Sequence, residues 1–207
     1  MKEFWNERYS AETYAYGTAP NNFFKQAVDD NRLTGKLLLP AEGEGRNAVY
    51  AAKNGLQVYA FDISAAGKKK AMQLAEQEQV SINYHVADFR EMNYEPGSFD
   101  AAALIYAHFP PNLLPAYHQK VVHLLKPGAR VVLEGFSKNN LPIRESNPEV
   151  GGPKNPDMLL SPESIQQDFS DLTILHLEET TVHLQEGEYH NGNGKVIRFI
   201  GQKPINQ

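Results

Sequence analysis

The chain of 207 residues has no cysteine, which excludes disulfides, thiolate catalysis and cysteine-based metal sites outright. It has no apolar stretch long enough to span a bilayer. Its opening, Met1-Lys2-Glu3-Phe4-Trp5-Asn6-Glu7-Arg8, carries no apolar signal region. A cytoplasmic protein without a membrane partner is therefore expected. Positive charge of the kind that grips a nucleic-acid duplex is also lacking. The formal net charge is −5, and the short tract Lys68-Lys69-Lys70 reads as a solvated helix face, so no nucleic-acid partner is expected.

Several catalytic signatures are missing as well. There is no G-x-x-x-x-G-K-[ST] phosphate loop, no H-E-x-x-H zinc helix and no G-x-S-x-G nucleophile elbow. His118 and His123 stand five apart in a helical pattern, poorly placed for one face, so no metal site is expected.

What is present centres on Leu37-Leu38-Leu39-Pro40-Ala41-Glu42-Gly43-Glu44-Gly45-Arg46-Asn47-Ala48. An apolar run breaks into a Gly-x-Gly turn, and a helix-like pattern follows. Gly43 and Gly45 lack a Cβ, so the chain can turn sharply after a strand and bring bare backbone against a ligand. A second apolar run, Val58 to Phe61, ends in Asp62. Strand, glycine turn, helix and acid-terminated strand make one nucleotide-binding half-unit.

Further strand-like runs fall at Ile82–Val86, Ala101–Tyr106 and Ala129–Phe136, after Lys36–Pro40 and Gln57–Phe61. Helical patterns lie between them at Asn47–Asn54, Ala65–Gln79 and Leu113–Leu125, the last stopped by Lys126-Pro127-Gly128. This alternation predicts an α/β fold with a parallel, doubly wound sheet, because parallel strands need crossover connections. A Pro-, Asn- and Gly-rich loop is expected from Ser137 to Asp157, then a helix opened by Ser161-Pro162-Glu163-Ser164. The closing runs Thr173–Leu184 and Lys195–Gln202 flank Glu186–Gly194 and signal a hairpin, so the sheet should end with an antiparallel strand. No repeat or linker divides the chain, and a single domain over 1–207 is expected.

The glycine pattern alone fits a dinucleotide, with Asp62 near the expected distance. A pyrophosphate would be repelled by Glu42 and Glu44 beside the turn, whereas S-adenosylmethionine, with a sulfonium and an ammonium, is compatible with acids there. Asp62 can accept from a ribose diol in either case. At the end of the third strand Asp88 can accept from an adenine amino group while Phe89 or Ile63 covers the ring; the other reading of Asp88 is a helix N-cap or loop acid. A short-chain-type NAD(P) oxidoreductase is the alternative enzyme, but no tyrosine here has a lysine four residues on. A non-catalytic nucleotide-binding scaffold is the alternative outside enzymes.

The ordered set Gly-x-Gly, Val58-Tyr59-Ala60-Phe61-Asp62-Ile63-Ser64, Ala87-Asp88-Phe89, Phe99-Asp100-Ala101-Ala102 and Leu124 to Arg130 resembles a class I S-adenosylmethionine-dependent methyltransferase. The stretches Trp5 to Tyr9 and Tyr16 to Phe24 resemble the lid of small bacterial enzymes of the tellurite-resistance and thiopurine methyltransferase type. The resemblance implies a Rossmann-like sheet of about seven strands with the last antiparallel. It also implies a lid over 1–35, a cofactor-binding core over 36–136, and a substrate loop, helix and closing hairpin over 137–207. Ala41, Glu42, Gly43, Gly45, Asn47, Asp62, Ile63, Asp88, Phe89 and Tyr106 are then the cofactor side, with S-adenosylhomocysteine as product. Two positions depart from the family pattern. Leu39 and Ala41 stand where an acid and a glycine are usual, and Glu42 is either their substitute toward the methionine ammonium or a solvated loop acid.

Methyl transfer is an in-line displacement governed by alignment, and a base matters only for a nucleophile protonated at neutral pH. His108, just past the fourth strand, either faces the transferred methyl or bonds a loop carbonyl. Trp5, Tyr9, Tyr14 and Tyr16 are either an aromatic lid attracting the sulfonium or packing anchors. Arg144 and His190 either line the acceptor pocket or lie on the surface. The acceptor is expected to be a small molecule (a thiol, a chalcogen oxyanion or a small metabolite), and the enzyme a monomer or homodimer.

Overall fold

The computed structural model describes residues 1–205. Its first strand, β1 (Lys36–Pro40), is the apolar run before the glycine turn. Leu37, Leu38 and Leu39 are each at most 1% exposed, so both faces of this strand are covered. Leu38 packs into one hydrophobic core and Leu37 and Leu39 into the other, as the alternation of a strand requires.

The sheet is completed by β2 (Gln57–Asp62), β3 (Asn83–Val86), β4 (Phe99–Ile105), β5 (Leu125–Phe136), β6 (Thr173–Glu186) and β7 (His190–Gln202). Their order across it is β3-β2-β1-β4-β5-β7-β6. The five strands from β3 to β5 run parallel, and β7 pairs antiparallel with both β5 and β6. The strand order reverses between β1 and β4, and the carboxyl ends there open a crevice of the kind where α/β sheets take ligands.

Helices α1 (Lys2–Arg8) and α2 (Asn22–Asp29) precede the sheet; α3 (Arg46–Lys53) and α4 (Ala65–Gln77) follow β1 and β2, and α5 (Leu114–Leu124) leads into β5. Two shorter helices, α6 (Leu141–Ser146) and α7 (Pro162–Asp168), follow β5. Caps explain several starts. Asn21 accepts from Phe24 N–H, Ser64 from Gly67 N–H, and Ser161 and Ser164 form a reciprocal capping box.

The structure corrects the expected elements in three places. First, α5 ends at Leu124 and the chain passes straight into β5, so Lys126-Pro127-Gly128 lies within that strand. The register slips there, with Phe99 opposite Leu125 but Ala101 opposite Arg130, and Gly128 at φ +81° takes up the extra residues as a bulge. Second, the expected loop after Phe136 contains α6, begun by Pro142 in its first turn. Third, the hairpin is tighter than expected, pairing down to Glu186 opposite His190. Among the described residues no helix is long and apolar enough to cross a membrane.

Candidate active site

A cavity of about 1070 Å³ lies over the carboxyl ends of β1 to β4, closed by α1, the segment around Tyr16, the β6–β7 turn and the loop around α6. It has two chemically distinct ends.

At the first end the glycine turn sets the geometry. Ala41 leaves β1 at φ +53°, a left-handed conformation that L side chains disfavour, at the position where glycine is usual in the family. Glu42 follows and lines the cavity. Its Oε1 accepts from Ala48 N–H at 2.7 Å, at the start of α3. Burial raises this carboxyl to about 7, against the hydrogen bond from Ala48 and the more distant Arg46 charge. Asp62, at the end of β2, accepts from Gly43 N–H at 3.1 Å and from Ser64 N–H at 2.8 Å, and burial raises it to about 6. Neither acid has a salt-bridge partner among the described residues. Asn47 and Ile63 line the same end.

Gly43 and Gly45 do not line the cavity. A Cβ at Gly45 would stand 2.5 Å from the Ala71 Cβ, so this glycine lets α3 and α4 approach closely. A Cβ at Gly43 would stand 2.7 Å from the Tyr9 hydroxyl. Tyr9, stacked on Trp5 at 5.4 Å, thus occupies the space that the glycine was expected to open to a ligand. The expected repulsion from Glu44 also needs correction. Its carboxylate is buried against Lys70 Nζ at 2.8 Å and Ala15 N–H at 2.8 Å, so it ties down the N-terminal segment. Lys70, read as solvated, is consequently buried.

Asp88 reaches the cavity but acts locally as the cap. It accepts from Arg90 N–H at 2.9 Å in a capping box with Glu91, and Arg90 grips both its oxygens. Tyr117 donates to it at 2.6 Å. The Arg90 hydrogen bonds hold this carboxyl far below the usual range. An adenine amino group would compete with these donors. Phe89 lies beside it, almost fully buried, 5.0 Å from the Phe61 ring.

The second end collects aromatic and polar side chains from distant parts of the chain. Tyr106, also at positive φ (+51°), donates its hydroxyl to Glu134 Oε1 at 3.0 Å. Glu134 also accepts from Asn21 Nδ2 at 2.6 Å and Arg198 Nε at 2.6 Å. Arg46 bridges to Glu186 at 3.0 Å, and Glu186 accepts from His190 Nδ1 at 3.0 Å. His190 sits among the rings of Tyr16 at 4.5 Å, Tyr106 at 4.6 Å and Phe136 at 5.1 Å. Arg8 stacks over Tyr189 at 3.7 Å, and Arg144, on α6, donates Nε–H to Gly152 O at 2.8 Å.

His108 lines the cavity between the two ends. Its Nδ1 faces Met158 O at 3.2 Å, its ring stacks on Phe136 at 5.8 Å, and burial lowers it to about 4. The expected loop-carbonyl bond is therefore present, and the imidazole stays neutral at pH 7. With so low a basicity, and with Nε2 buried, it is poorly suited to removing a proton.

Of the expected substrate-side residues, Trp5, Tyr9, Tyr16, Arg144 and His190 line the cavity. Tyr14 does not; its hydroxyl donates to Lys70 O at 3.1 Å on the far side of the turn. Sequence reasoning missed Arg8, Arg46, Phe136 and Tyr189, which line the cavity, and Asn21, Glu134 and Glu186 behind it. Arg46 had a usable signal, as a cation directly after the glycine turn. His118 Nδ1 lies 2.7 Å from the Asp168 carboxylate in a buried contact, and among the described residues no group of three or more His, Cys, Asp or Glu side chains is placed to hold a metal ion.

Residues 40–128 match the family model of the methyltransferase domain. No curated protein matches the sequence. Three solved structures show the same fold. A protein studied in the conversion of a disulfide bond into a thioacetal group during echinomycin biosynthesis is 17% identical with a TM-score of 0.80, covering 100% of this chain and 94% of that one. TehB from Haemophilus influenzae is 16% identical with a TM-score of 0.70, over 98% of this chain and 66% of its own. A SAM-dependent methyltransferase from Methanosarcina mazei is 15% identical with a TM-score of 0.66, over 83% and 93%. The methyltransferase-domain match over residues 40–128 and the fold shared with these structures agree with the resemblance to class I S-adenosylmethionine-dependent methyltransferases.

Proposed function

We propose that the chain transfers a methyl group from S-adenosylmethionine to a small-molecule acceptor, both held in the one cavity. The observation that carries this reading is the pair of buried acids without cation partners, Glu42 and Asp62, at the ends of β1 and β2. A carboxyl raised by burial is stabilised by a cationic ligand, and a dianionic pyrophosphate would make it worse. Glu42 fits the methionine ammonium, in place of the acid that Leu39 does not supply. Asp62 keeps a free lone pair on each oxygen for a ribose diol. When bound, the donor supplies an electrophilic methyl on a positively charged sulfur. The chain's own part is to orient the acceptor and to exclude water. For this the rings of Trp5, Tyr16, Tyr106 and Phe136 provide walls.

Calorimetry with S-adenosylmethionine, S-adenosylhomocysteine and NAD tests the reading. Binding of the first two and not of NAD is the expected result. NAD binding without the methyl donor would return the chain to the oxidoreductase alternative, and binding of none would favour the scaffold.

A further inference from the structure

Two histidines face the cavity, and only one is built as a base. His108 has no carboxylate partner, whereas His190 Nδ1 lies 3.0 Å from Glu186 Oε2. Glu186 is itself held by Arg46 Nη2 at 3.0 Å and by Asn21 Nδ2 at 3.3 Å. Burial works to raise the Glu186 carboxyl, but the His190 hydrogen bond and the Arg46 charge bring it down to about 2, so it stays ionised. An ionised carboxylate at this distance fixes the proton on Nδ1 and leaves Nε2 with its lone pair. Nε2 has no hydrogen-bond partner among the described residues.

The ring is clamped in place. Tyr16, Tyr106 and Phe136 surround it, and a Cβ at Gly151 (φ +86°) would fall 2.6 Å from His190 Cδ2. The charged and titratable groups acting on it are Glu186, Arg46, Arg8, Tyr16, Tyr106 and His108. Burial pulls the imidazole below its ordinary value, against the Glu186 hydrogen bond, so the base form is present at neutral pH. Glu186 is placed to stabilise the imidazolium once it forms.

We propose that His190 takes the proton of the methyl acceptor, with Glu186 as its positioning residue, and that the acceptor nucleophile is a hydroxyl on an aromatic ring. This rests on the methyltransferase reading above. A preformed thiolate or oxyanion would have no proton to give, and the dyad would be idle. A phenol keeps its proton at pH 7, and its ring matches the aromatic walls. In the step, the acceptor's O–H bond breaks and the proton goes to Nε2. Its oxygen forms the bond to the methyl carbon, and the electron pair of the broken S–C bond stays on sulfur as a thioether. The imidazolium then releases its proton to water.

The test has three readouts. Calorimetry of the unsubstituted protein with S-adenosylmethionine comes first; failure to bind overturns the methyltransferase reading, and the proposal falls with it. Long-range proton–nitrogen NMR then reads His190 directly. The expected result is the Nδ1–H tautomer, with a lower apparent pKa in Glu186→Gln; the Nε2–H tautomer would overturn the dyad. Third, methyl transfer is followed over phenols graded in acidity from 4-nitrophenol to 4-methoxyphenol, with thiophenol and tellurite as controls. His190→Gln should lower kcat by about 100-fold or more on the least acidic phenol and progressively less on the more acidic ones. An equal loss across the series shows a structural role only. Donor binding with transfer to thiophenol or tellurite and to no phenol, or no transfer to any of these acceptors, overturns the acceptor class.

Discussion

The two ends of the cavity are built over very different distances along the chain. At the donor end, Glu42 bonds Ala48 six residues on and Asp62 bonds Gly43 nineteen residues back. At the acceptor end, Asn21 reaches Glu134 across 113 residues and Arg46 reaches Glu186 across 140. The donor end is a local device that any chain with this strand–turn–helix–strand unit can form. The acceptor end exists only when the N-terminal segment, α3 and the closing hairpin are assembled together. On the proposed methyltransferase reading, common chemistry rests on local geometry and acceptor choice on tertiary structure.

The long-range ion pair of the acceptor end gives the strongest test of this contrast. Arg46 and Glu186 are both largely buried, with side chains 9% and 13% exposed. Arg46→Met leaves the carboxylate without its guanidinium, and breaking such a pair costs about 3–5 kcal/mol. Urea unfolding should show a loss in this range. A loss below about 1 kcal/mol would mean that the acceptor end is held together by packing instead.

Glu42→Gln probes the donor end alone. Loss of a buried charge-assisted contact should weaken S-adenosylmethionine binding by about 10- to 100-fold, measured by calorimetry. The pH dependence has a definite sign. The folded Glu42 carboxyl, at about 7, keeps its proton to higher pH than the unfolded one near 4.5. The ligand-free protein therefore loses stability as pH rises between those values, because the native state binds more protons there. Donor affinity moves the other way and rises over the same window, since the ammonium needs the ionised acid. In Glu42→Gln both dependences should flatten. An unchanged pH profile of affinity would remove Glu42 from the ligand.

The same contrast explains what the sequence made legible. The sheet class, the succession of strands and helices along the chain, the antiparallel closure and the acids at positions 42 and 62 all follow from local periodicity and turn chemistry. Lys70 looked solvated because it stands in a run of lysines, yet Glu44, 26 residues away, draws it into the interior. Tyr14 looked like its neighbour Tyr16, but the chain turns between them and only Tyr16 reaches the cavity. Asp88 shows how one acid can serve both readings. Its position at a strand end is that of a ligand contact, while Arg90, only two residues on, claims both its oxygens. Glu134, Glu186 and Asn21 carried no local signal, since their partners come from other elements.

The smallest expected effect concerns the irregularity in the donor turn. Ala41 holds φ +53° without being a glycine. A left-handed conformation costs an alanine about 1–2 kcal/mol relative to glycine. Ala41→Gly removes that strain but gives the unfolded chain more freedom, which costs about 0.4–1 kcal/mol. The strain term is the larger, so thermal unfolding should show a gain of about 1 kcal/mol. Donor affinity should change by no more than about twofold, because Glu42 keeps its place through Ala48 and the turn through Asp62. A marked gain in affinity would show instead that Ala41 misaligns the turn, and that the departure from glycine impairs the site. A marked loss of stability would place the strain elsewhere, with the alanine methyl supporting the packing around β1.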